Sequence, residues 1–447
     1  MDTMKKRNIF VSWFVGLGLT LASSHSAEAA KLSESDLAKK KEGSFLTGLP
    51  LVNYSSDSGF GYGVRLYWYD NGKPSDAHFD ETPYFVQTYG QFFQTTKGQS
   101  VHEVSADMPY FMGSEYRLQT LFTYYAVLNA NYHGIGAASA DAGLVDSNGV
   151  GYDTAADYMT GFLESASDPN LSLLKHDVYQ REQYIHRTTA TKEILDGLDL
   201  MFGYQVMHTS LEDWAENQFS VGDEEYISAP TRFSNDRETL VGSEGGWSNM
   251  LVIGLKLDQR DFEPNPKSGY LVEYYLELSN KAWGSDYGFA RQSLGGRLFY
   301  TLWDRLTLGS RIHFAGSLGD APFYELSQIR FFEGTQNALG GSRTARGYPQ
   351  ERFIGKAMSL YQFDVRGFVG DIEFLGQRFG LQPFAFVDAG NVYDRITDAL
   401  AKPRLDKMKI SYGGGAAIPW NLSTIIHIFM GLSAETSTLS INFNHAF

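Results

Sequence analysis

The chain has 447 residues, a formal net charge of -15 and no cysteine, so it is a poor nucleic-acid partner and has no disulfide or thiolate metal site. Aromatic residues make up 15% of the chain, and glycine occupies 46 positions. Soluble β-sandwiches and membrane β-barrels share this profile, because a membrane barrel has an apolar lipid face and aromatic girdles.

The first 29 residues are predicted to be a cleaved signal peptide. A basic start at residues 5–7 precedes an apolar run over residues 9–22, and the small residues Ala27 and Ala29 suit a signal peptidase. An uncleaved membrane anchor is the alternative, but about 14 apolar residues are short for a helix that must cross roughly 30 Å. Ala30 follows the predicted cut where a lipid-anchored protein would have cysteine.

Residues 30–49 are polar and too few to fold as a domain, so they are predicted to form a short periplasmic N-terminal segment. Residues 50–447 are predicted to form a barrel of sixteen strands, an even number that returns both ends to one side of the membrane. Because the first strand is the weakest, fourteen is the alternative count. The predicted strands cover about residues 50–54, 60–70, 83–94, 98–107, 114–128, 176–192, 197–212, 246–260, 272–279, 285–301, 304–317, 358–369, 380–393, 408–418, 423–434 and 437–447.

The strand after Gly269 shows the alternation that decides the fold class. Val272 and Leu276 fall on one face, and Glu273 and Glu277 fall on the other. A strand with this period of two has one apolar side and one wet side, and in a membrane barrel the wet side faces the lumen. We therefore predict an all-β fold, a transmembrane antiparallel β-barrel with a long extracellular loop folded into the lumen.

Three stretches without this alternation are predicted to be surface loops, at about 131–175, 213–236 and 318–357. The third is glycine-rich and carries Arg346, and the next two strands carry single acidic residues, Asp364 and Asp388. Strand parity places both carboxylates on the lumen side. One interpretation is ordinary surface ion pairing, worth about 0–1 kcal/mol. The other is a water-poor lock, in which the loss of one partner costs about 3–5 kcal/mol.

This combination resembles the C-terminal barrel of the outer-membrane assembly-factor superfamily, of the BamA/TamA and surface-antigen type. In that family an Arg-Gly-aromatic motif lies at the tip of a long extracellular loop, and its arginine meets acidic residues on the inner wall. The resemblance implies that Arg346, Gly347 and Tyr348 form the loop tip, with Asp364 and Asp388 on the wall. Gly347 is expected to let the tip turn sharply.

Two details of the strands bear on this assignment. Phe386 to Gly390 matches the family's Phe-x-Asp-x-Gly strand motif. Residues 365–368 repeat the loop motif, but they lie inside an alternating strand. Arg366 is therefore placed on the barrel wall, and Arg346 is assigned to the loop.

A second motif lies earlier in the chain. Asp258, Arg260 and Asp261 close one strand, and Gly269 opens the next after two prolines. Proline cannot donate to a strand ladder and belongs outside strands. The pattern resembles a tight periplasmic turn that is common in the superfamily.

The last predicted strand ends on Phe447. Its parity groups Phe443 and Phe447 with Leu439 and Ile441 on the outward face. A closing strand that ends in phenylalanine resembles the insertion signal of outer-membrane barrels. Phe443 and Phe447 are therefore predicted to act as a C-terminal insertion signal.

The resemblance implies insertion or transport of proteins or lipids at the outer membrane, through a seam between the first and last strands. The best-known family members carry polypeptide-transport-associated (POTRA) domains before the barrel, and residues 30–49 are too few for one. A separate periplasmic partner or client protein is therefore expected, along with outer-membrane lipid and the barrel assembly machinery during biogenesis. The alternative is a passive channel or structural barrel. No catalytic, cofactor or metal site is predicted, because no hydrolase or nucleotide-loop motif accompanies the histidines or the glycines.

Overall fold

A closed antiparallel barrel of sixteen strands forms the molecule, as the sequence predicts. The computed structural model describes residues 42–146, 149–164, 171–221, 224–263, 265–331, 334–337, 339–374, 377–401, 404–420, 424–443 and 447. The barrel strands are β1 Ser44–Ser55, β2 Gly59–Asp70, β3 Val86–Thr95, β4 Gln99–Met108, β5 Tyr116–Asn131, β6 Val178–Leu195, β7 Leu198–Glu212, β8 Met250–Asp258, β9 Gly269–Ser279, β10 Phe289–Leu302, β11 Leu306–Gly319, β12 Ala357–Gly367, β13 Gln377–Tyr393, β14 Lys409–Trp420, β15 Thr424–Ser433 and β16 Ser437–Phe443. Each strand pairs with the next, and β1 pairs with β16.

The first strand differs from its predicted bounds. β1 begins at Ser44, inside the segment 30–49 that was predicted to precede the barrel, and it pairs with β2 along its whole length. β16 is described as far as Phe443, and residues 444–446 of the predicted strand 437–447 lie outside the described residues. The predicted signal peptide, residues 1–29, lies outside the described residues.

The barrel wall has charged side chains inside and apolar side chains outside, the reverse of a water-soluble protein. On β9, Glu273 and Glu277 are 1% exposed on the lumen side, whereas Val272 is 45% exposed on the outer side. The same alternation puts Arg311 and His313 inside β11. Exposed apolar side chains around buried charges suit a hydrocarbon surrounding, because every outward residue then meets lipid.

The connections differ at the two ends of the barrel. Shorter ones lie at the end where β1 begins and β16 ends, here called the terminal end. The opposite, long-loop end carries the connections 132–177, 213–249 and 320–356, close to the predicted surface loops. No helix among the described residues is long and apolar enough to cross a membrane.

The connections contain short helices and strands. The helices are α1 Gly136–Ala142, α2 Ala155–Glu164, α3 Arg232–Asp236, α4 Phe323–Leu326 and α5 Ile396–Ala401, with 3-10 turns at Phe111–Gly113, Lys281–Trp283 and Leu405–Lys407. The short strands are Leu144–Val145, Gly151–Tyr152, Leu171–Ser172, Gln218–Val221, Glu224–Ser228, Gly246–Trp247, Gln328–Phe331, Gly334–Asn337 and Gly370–Phe374.

The connection 320–356, here called the inner loop, folds into the lumen, as predicted. Leu339, Tyr348 and Phe353 from the inner loop are buried and share a core with Met358 and Leu360 of the wall. A second core of loop and wall aromatics closes the long-loop end, where the rings of Tyr179 and Phe323 lie 5.3 Å apart. The inner loop is therefore a packed part of the fold.

This architecture predicts heat-modifiable behaviour. A closed strand ladder unfolds only when many hydrogen bonds break together, so unboiled protein should keep its barrel in detergent and migrate differently from boiled protein on a denaturing gel. Circular dichroism should show a β-type spectrum. A helical spectrum, or recovery of the protein from the soluble periplasmic fraction, would contradict the architecture.

Candidate functional site: the inner-loop lock and the barrel seam

Arg346 lies between two wall carboxylates inside the barrel. Its Nε donates to Asp388 Oδ2 at 2.8 Å, and its Nη2 donates to Asp388 Oδ1 at 2.6 Å and to Asp364 Oδ1 at 2.7 Å. The backbone N–H of Arg346 also donates to Asp388 Oδ2, at 2.9 Å. All three side chains are fully buried. Charge-assisted hydrogen bonds of this geometry are about twice as strong as neutral ones.

A second arginine balances the charge of this group. Nη2 of Arg366 donates to Asp364 Oδ2 at 3.1 Å, so two guanidinium groups face two carboxylates. Burying charges is costly unless each one is paired and hydrogen-bonded. Arg366 lies on the wall, where parity placed it, and Asp364 connects it to Arg346. These four residues, Arg346, Asp364, Arg366 and Asp388, are called the lock below.

Neutral groups complete the surroundings of Arg346. Its guanidinium carbon lies 3.7 Å from the ring centroid of Phe386, a cation–π contact. Gln362 donates to Asp388 Oδ1 at 3.1 Å and to the backbone oxygen of Thr344 at 2.7 Å. Among the described residues, Nη1 of Arg346 has no hydrogen-bond partner. Wall residues therefore fix the Arg346 guanidinium by ion pairs and by ring stacking, and Gln362 holds the neighbouring loop backbone in place.

Gly347 is needed for a reason other than the predicted sharp turn. Its φ is not positive, so the tip does not use the left-handed conformation that favours glycine at a sharp turn. A Cβ at this position would lie 2.5 Å from the backbone oxygen of Leu432 and 2.7 Å from Ser411 Cβ. The loop tip thus lies directly against β14 and β15, and glycine permits that approach.

The other motif residues pack around the tip. The rings of Tyr348 and Phe353 lie 4.9 Å apart, edge to face. A Cβ on Gly390 would lie 2.7 Å from Leu339 Cδ2, so this glycine leaves room for a loop side chain on β13. Tyr348 therefore packs within the loop beside the wall, and Gly390 makes the space into which the loop side chain fits.

Gly431 on β15 leaves no room for a side chain between the wall and the inner loop. A larger residue at this position is therefore expected to clash with the loop backbone. A Cβ there would lie 2.1 Å from the backbone oxygen of Arg346. Gly431→Ala is expected to push the tip off the wall and to destabilise the folded barrel by about 1–3 kcal/mol. Limited proteolysis of the inner loop and the temperature at which the unboiled gel form disappears would measure it.

The matched control is Gly296→Ala on β10, where a Cβ would meet nothing within 4 Å. That variant should keep the protease resistance and the transition temperature of the parent. Equal behaviour of the two alanine variants would contradict the steric argument.

The start of the inner loop is anchored to a different part of the wall. Nε of Arg291 donates to Glu277 Oε2 at 2.6 Å, and its Nη1 donates to Glu325 Oε2 at 2.7 Å. Arg330 reaches the same Glu277 at 3.5 Å. The inner loop is thus held by charge at both its beginning and its tip.

Among the described residues, the seam between β1 and β16 has the shortest ladder of any barrel junction. Its register contains the pairs Tyr54↔Ile441 and Ser55↔Ser440 among the described residues, whereas β1 pairs with β2 from Ser44 to Ser55. Both pairs lie at the long-loop end. Because each ladder pair contributes backbone hydrogen bonds, the described part of the seam has fewer of these bonds than the neighbouring junctions.

The inner loop spans the seam at this same end. The backbone N–H of Gln350 donates to Asp57 Oδ2 at 2.9 Å, in the hairpin between β1 and β2. Arg352 makes a bidentate pair with Glu435, at 2.7 and 2.9 Å, in the hairpin between β15 and β16. Burial raises the pKa of the Asp57 carboxyl, while the Gln350 N–H and Lys97 favour its charged form. Two contacts six positions or fewer from Arg346 thus connect both sides of the seam.

The loop tip also contacts β16 directly. Thr438 Oγ1 donates to the backbone oxygen of Arg346 at 2.5 Å. A displacement of Arg346 from the lock therefore breaks a contact with the last strand as well. The lock and the seam share one segment of chain.

The predicted turn motif forms between β8 and β9. Arg260 makes a bidentate contact with Asp258, at 2.9 and 2.7 Å. Asp261 Oδ1 accepts from the backbone N–H groups of Lys267 and Ser268, at 2.9 and 3.1 Å. Gly269 has a φ of +95°, which other residues rarely adopt. These residues shape the turn at the terminal end and lie apart from the lock.

Phe447 lies inside the barrel, so its predicted outward placement is wrong. Its ring packs 6.2 Å from that of Phe299, and its backbone oxygen accepts from Arg366 Nη2 at 3.1 Å. The register of β16 is described as far as Phe443, whose backbone pairs with Ile426. Phe447 therefore borders the lock through Arg366.

The inner loop leaves part of the lumen open. A cavity of about 470 Å³ lies between the loop and the walls of β1, β4, β5 and β6. Amide and hydroxyl side chains dominate its lining, including Asn53, Gln99, Gln183, Ser342 and Gln350. A second cavity, of about 390 Å³, lies beside the seam hairpins and contains Asp57 and Glu435 in its lining. The loop therefore fills the lumen off-centre.

Comparison with known proteins gives two family matches. A family model described as the Omp85 superfamily domain matches residues 103–425, and one described as a domain of unknown function (DUF5982) matches residues 23–85. No curated protein matches the sequence.

Solved structures give the fold. BamA from Haemophilus ducreyi lacking POTRA domains 1–3 is similar, with a TM-score of 0.51 and 14% identity over 90% of this chain and 70% of that chain. CdiB from Acinetobacter baumannii has a TM-score of 0.45 and 11% identity, over 90% of this chain and 60% of that one. CdiB from Escherichia coli has a TM-score of 0.49 and 8% identity, over 89% and 62%. The chain spans less than two thirds of either CdiB chain.

Proposed function

Because the chain belongs to the Omp85 superfamily, whose barrel fold points to the bacterial outer membrane, we propose that it inserts or transports proteins or lipids there through the β1–β16 seam. The inner loop controls the seam. While Arg346 is in the lock, Gln350 and Arg352 hold the hairpins on the two sides of the seam together. Release of Arg346 frees both contacts, and the remaining ladder is short enough to part.

The observation that carries this proposal is that one loop contacts both sides of a seam in which the described residues form two ladder pairs. An ordinary strand junction needs no such support, because its ladder holds it. A seam held by a removable loop instead has two accessible states, closed and parted. Unpaired backbone groups on β1 and β16 could then pair with the strand of a client protein. No catalytic step is part of this function.

A removable staple across the seam tests the proposal. The chain has no cysteine, so Ser55→Cys with Ser440→Cys can form only the intended disulfide between these register partners. Proteoliposomes would be given a urea-unfolded eight-stranded barrel as client, and its folding would be followed on unboiled gels. The parent and the reduced variant should accelerate folding, and the oxidised variant should not.

A matched pair controls for the disulfide itself. Ser293→Cys with Ala315→Cys joins register partners on β10 and β11, which are paired along their length. Its oxidised form should remain as active as the parent. Activity of the oxidised seam staple, or an inactive parent, would overturn the proposed function.

A separate periplasmic partner remains part of the proposal. Such a protein would deliver clients to the terminal end of the barrel. Met112 is 90% exposed in the turn between β4 and β5 and offers a position for a photo-crosslinker. Adducts with a periplasmic protein are expected at this position, and their absence would argue against a delivered client.

A passive channel is the second candidate, and the polar cavity of about 470 Å³ favours it. Planar-bilayer recordings distinguish the two. A seam-gated protein should conduct little until residues of the inner loop are deleted. A passive channel should conduct with the loop in place, and the seam staple should leave its current unchanged.

A further inference from the structure

The lumen cavity of about 470 Å³ has a cationic lining in a chain whose formal net charge is -15. Among the described residues, the ionisable side chains of its lining are Arg181, Arg187, Arg343 and Glu103. Glu103 lies 3.5 Å from Nη2 of Arg65, and Arg181 pairs with Glu351 at 2.7 Å. The charges of Glu103 and Arg181 are therefore already balanced by partners of opposite sign.

Arg187 differs from the other arginines inside the barrel, because its described partners are neutral. Its Nε and Nη2 donate to Gln205 Oε1 at 2.9 and 2.6 Å, and Nη2 donates to Thr335 Oγ1 at 3.0 Å. A carboxylate contacts each of Arg181, Arg291, Arg297, Arg330, Arg346 and Arg366. A charge withdrawn from bulk water is costly unless it is paired, so a counter-ion is expected at Arg187.

The charged groups around Arg187 do not supply that counter-ion. They are Arg291, Arg330, Glu277 and Glu325. Arg291 pairs with Glu277 at 2.6 Å and with Glu325 at 2.7 Å. Arg330 reaches Glu277 at 3.5 Å. The two acids thus already face two other arginines, and one positive charge is left over.

One nitrogen of the Arg187 guanidinium is open to a ligand. Among the described residues, Nη1 has no hydrogen-bond partner. The nearest atom to a Cβ built on Gly334 would be this Nη1, at 3.9 Å, so glycine leaves the space beside it empty. Hydroxyl and amide groups of Thr123, Gln328 and Thr335 line the same cavity. A guanidinium nitrogen among neutral donors suits an oxyanion, because charge-assisted hydrogen bonds to oxyanions are strong.

We propose that this cavity binds a small, water-soluble oxyanion, such as phosphate, at Nη1 of Arg187. The anion supplies the missing counter-charge. Arg187 belongs to β6, whereas Gly334 and Thr335 belong to the inner loop, so an anion at Nη1 lies between wall and loop and strengthens their contact. The closed wall separates the cavity from lipid headgroups, so the anion enters from water. This site does not depend on the proposed opening of the seam.

Inorganic phosphate is the probe, added to the purified full chain in detergent. Isothermal titration of the parent tests binding without any variant, with ionic strength held constant by chloride. Phosphate should also slow protease cutting of the inner loop and raise the temperature at which the unboiled gel form disappears. Arg187→Gln should lower the affinity about tenfold or more, because a hydrogen bond to a charged group is lost, and should abolish both protective effects. Arg187→Lys should retain part of the affinity.

Two controls make the result specific to Arg187 and to a soluble anion. Arg378→Gln removes an arginine whose side chain is 65% exposed, and it should bind phosphate as the parent does. In proteoliposomes without phosphate, phosphatidylglycerol in place of phosphatidylcholine should not protect the loop. Protection by that lipid would place the phosphate group in the bilayer and overturn the proposal of a soluble ligand.

Three further outcomes would overturn the site. The parent could fail to bind phosphate, or Arg187→Gln could bind it with the affinity of the parent. Glu333 precedes Gly334 in the sequence and lies outside the described residues, so it is the acid that the chain itself could bring to Arg187. Glu333→Gln should leave the affinity for phosphate unchanged. A large rise in affinity would show that Glu333 is the counter-ion and that no external anion is needed.

Discussion

Arg346→Ala is expected to release the inner loop from the lumen and to destabilise its docked state by about 3–5 kcal/mol, because it leaves Asp364 and Asp388 buried with one fewer cation. Arg366 would still contact Asp364, but Asp388 would lose its bidentate partner. The measurement is the rate at which a protease cuts the loop in intact cells or proteoliposomes. A large rise in that rate is expected.

A double-mutant cycle makes this result specific. Asp388→Asn keeps an oxygen that can accept from the backbone N–H of Arg346 but loses the charge. Each single variant should free the loop to a similar degree, and the double variant should be no worse than either, because an interaction can be lost only once. Full additivity would mean that the two residues act independently.

Arg366→Ala is the matched control within the lock. It removes a guanidinium from Asp364 but leaves the bidentate pair between Arg346 and Asp388 in place. The loop should therefore stay docked. If Arg366→Ala alone exposes the loop to protease, the assignment of Arg346 as the holding residue is wrong.

Arg352→Ala is expected to open the seam while the lock stays closed. The Arg352 side chain is 1% exposed, and its loss leaves Glu435 without its bidentate partner, at a cost of about 3–5 kcal/mol if the acid stays buried. The hairpin between β15 and β16 can relieve this cost by moving toward solvent. The seam should then part, although Arg346 remains between its carboxylates.

Hydrogen exchange of backbone amides would separate the two effects. Amides of β1 and β16 near Ser55 and Ser440 should exchange faster in Arg352→Ala, whereas those of the lock strands β12 and β13 should not change. Arg237→Ala is the control, because its pair with Glu244 lies on the exposed surface away from the seam, and its loss should leave exchange at the seam unchanged. Unchanged exchange at the seam would show that Arg352 does not hold it.

The local sequence pattern was enough to place the two carboxylates of the lock on the inner wall of the barrel. A period of two assigns each strand residue to a face, so parity put Asp364 and Asp388 in the lumen. The same rule gave the wrong face for Phe447, whose ring packs against Phe299 inside the barrel. Parity also could not show that Arg366 shares Asp364 with Arg346.

The contacts across the seam were beyond this reasoning. Asp57 and Glu435 are single acids in short hairpins, and nothing in the local sequence distinguishes them from solvated charges. Their partners Gln350 and Arg352 lie far away in the chain, so only the folded loop brings them together. Nothing in the local sequence distinguishes Gly431 from an ordinary strand glycine, because its contact with the loop backbone exists only in the folded barrel.

The off-centre filling of the lumen has a mechanical consequence. The part of the wall that carries the lock is packed against the inner loop by ion pairs and aromatic rings, whereas β1, β4 and β5 face the cavity of about 470 Å³, and β6 reaches the loop through the ion pair of Arg181 with Glu351. The barrel wall is therefore unequally stiff, and lateral pressure from the bilayer will deform the part beside the cavity first. This part of the wall includes β1, so a deformation there reaches the strand that borders the seam, where the described residues form two ladder pairs.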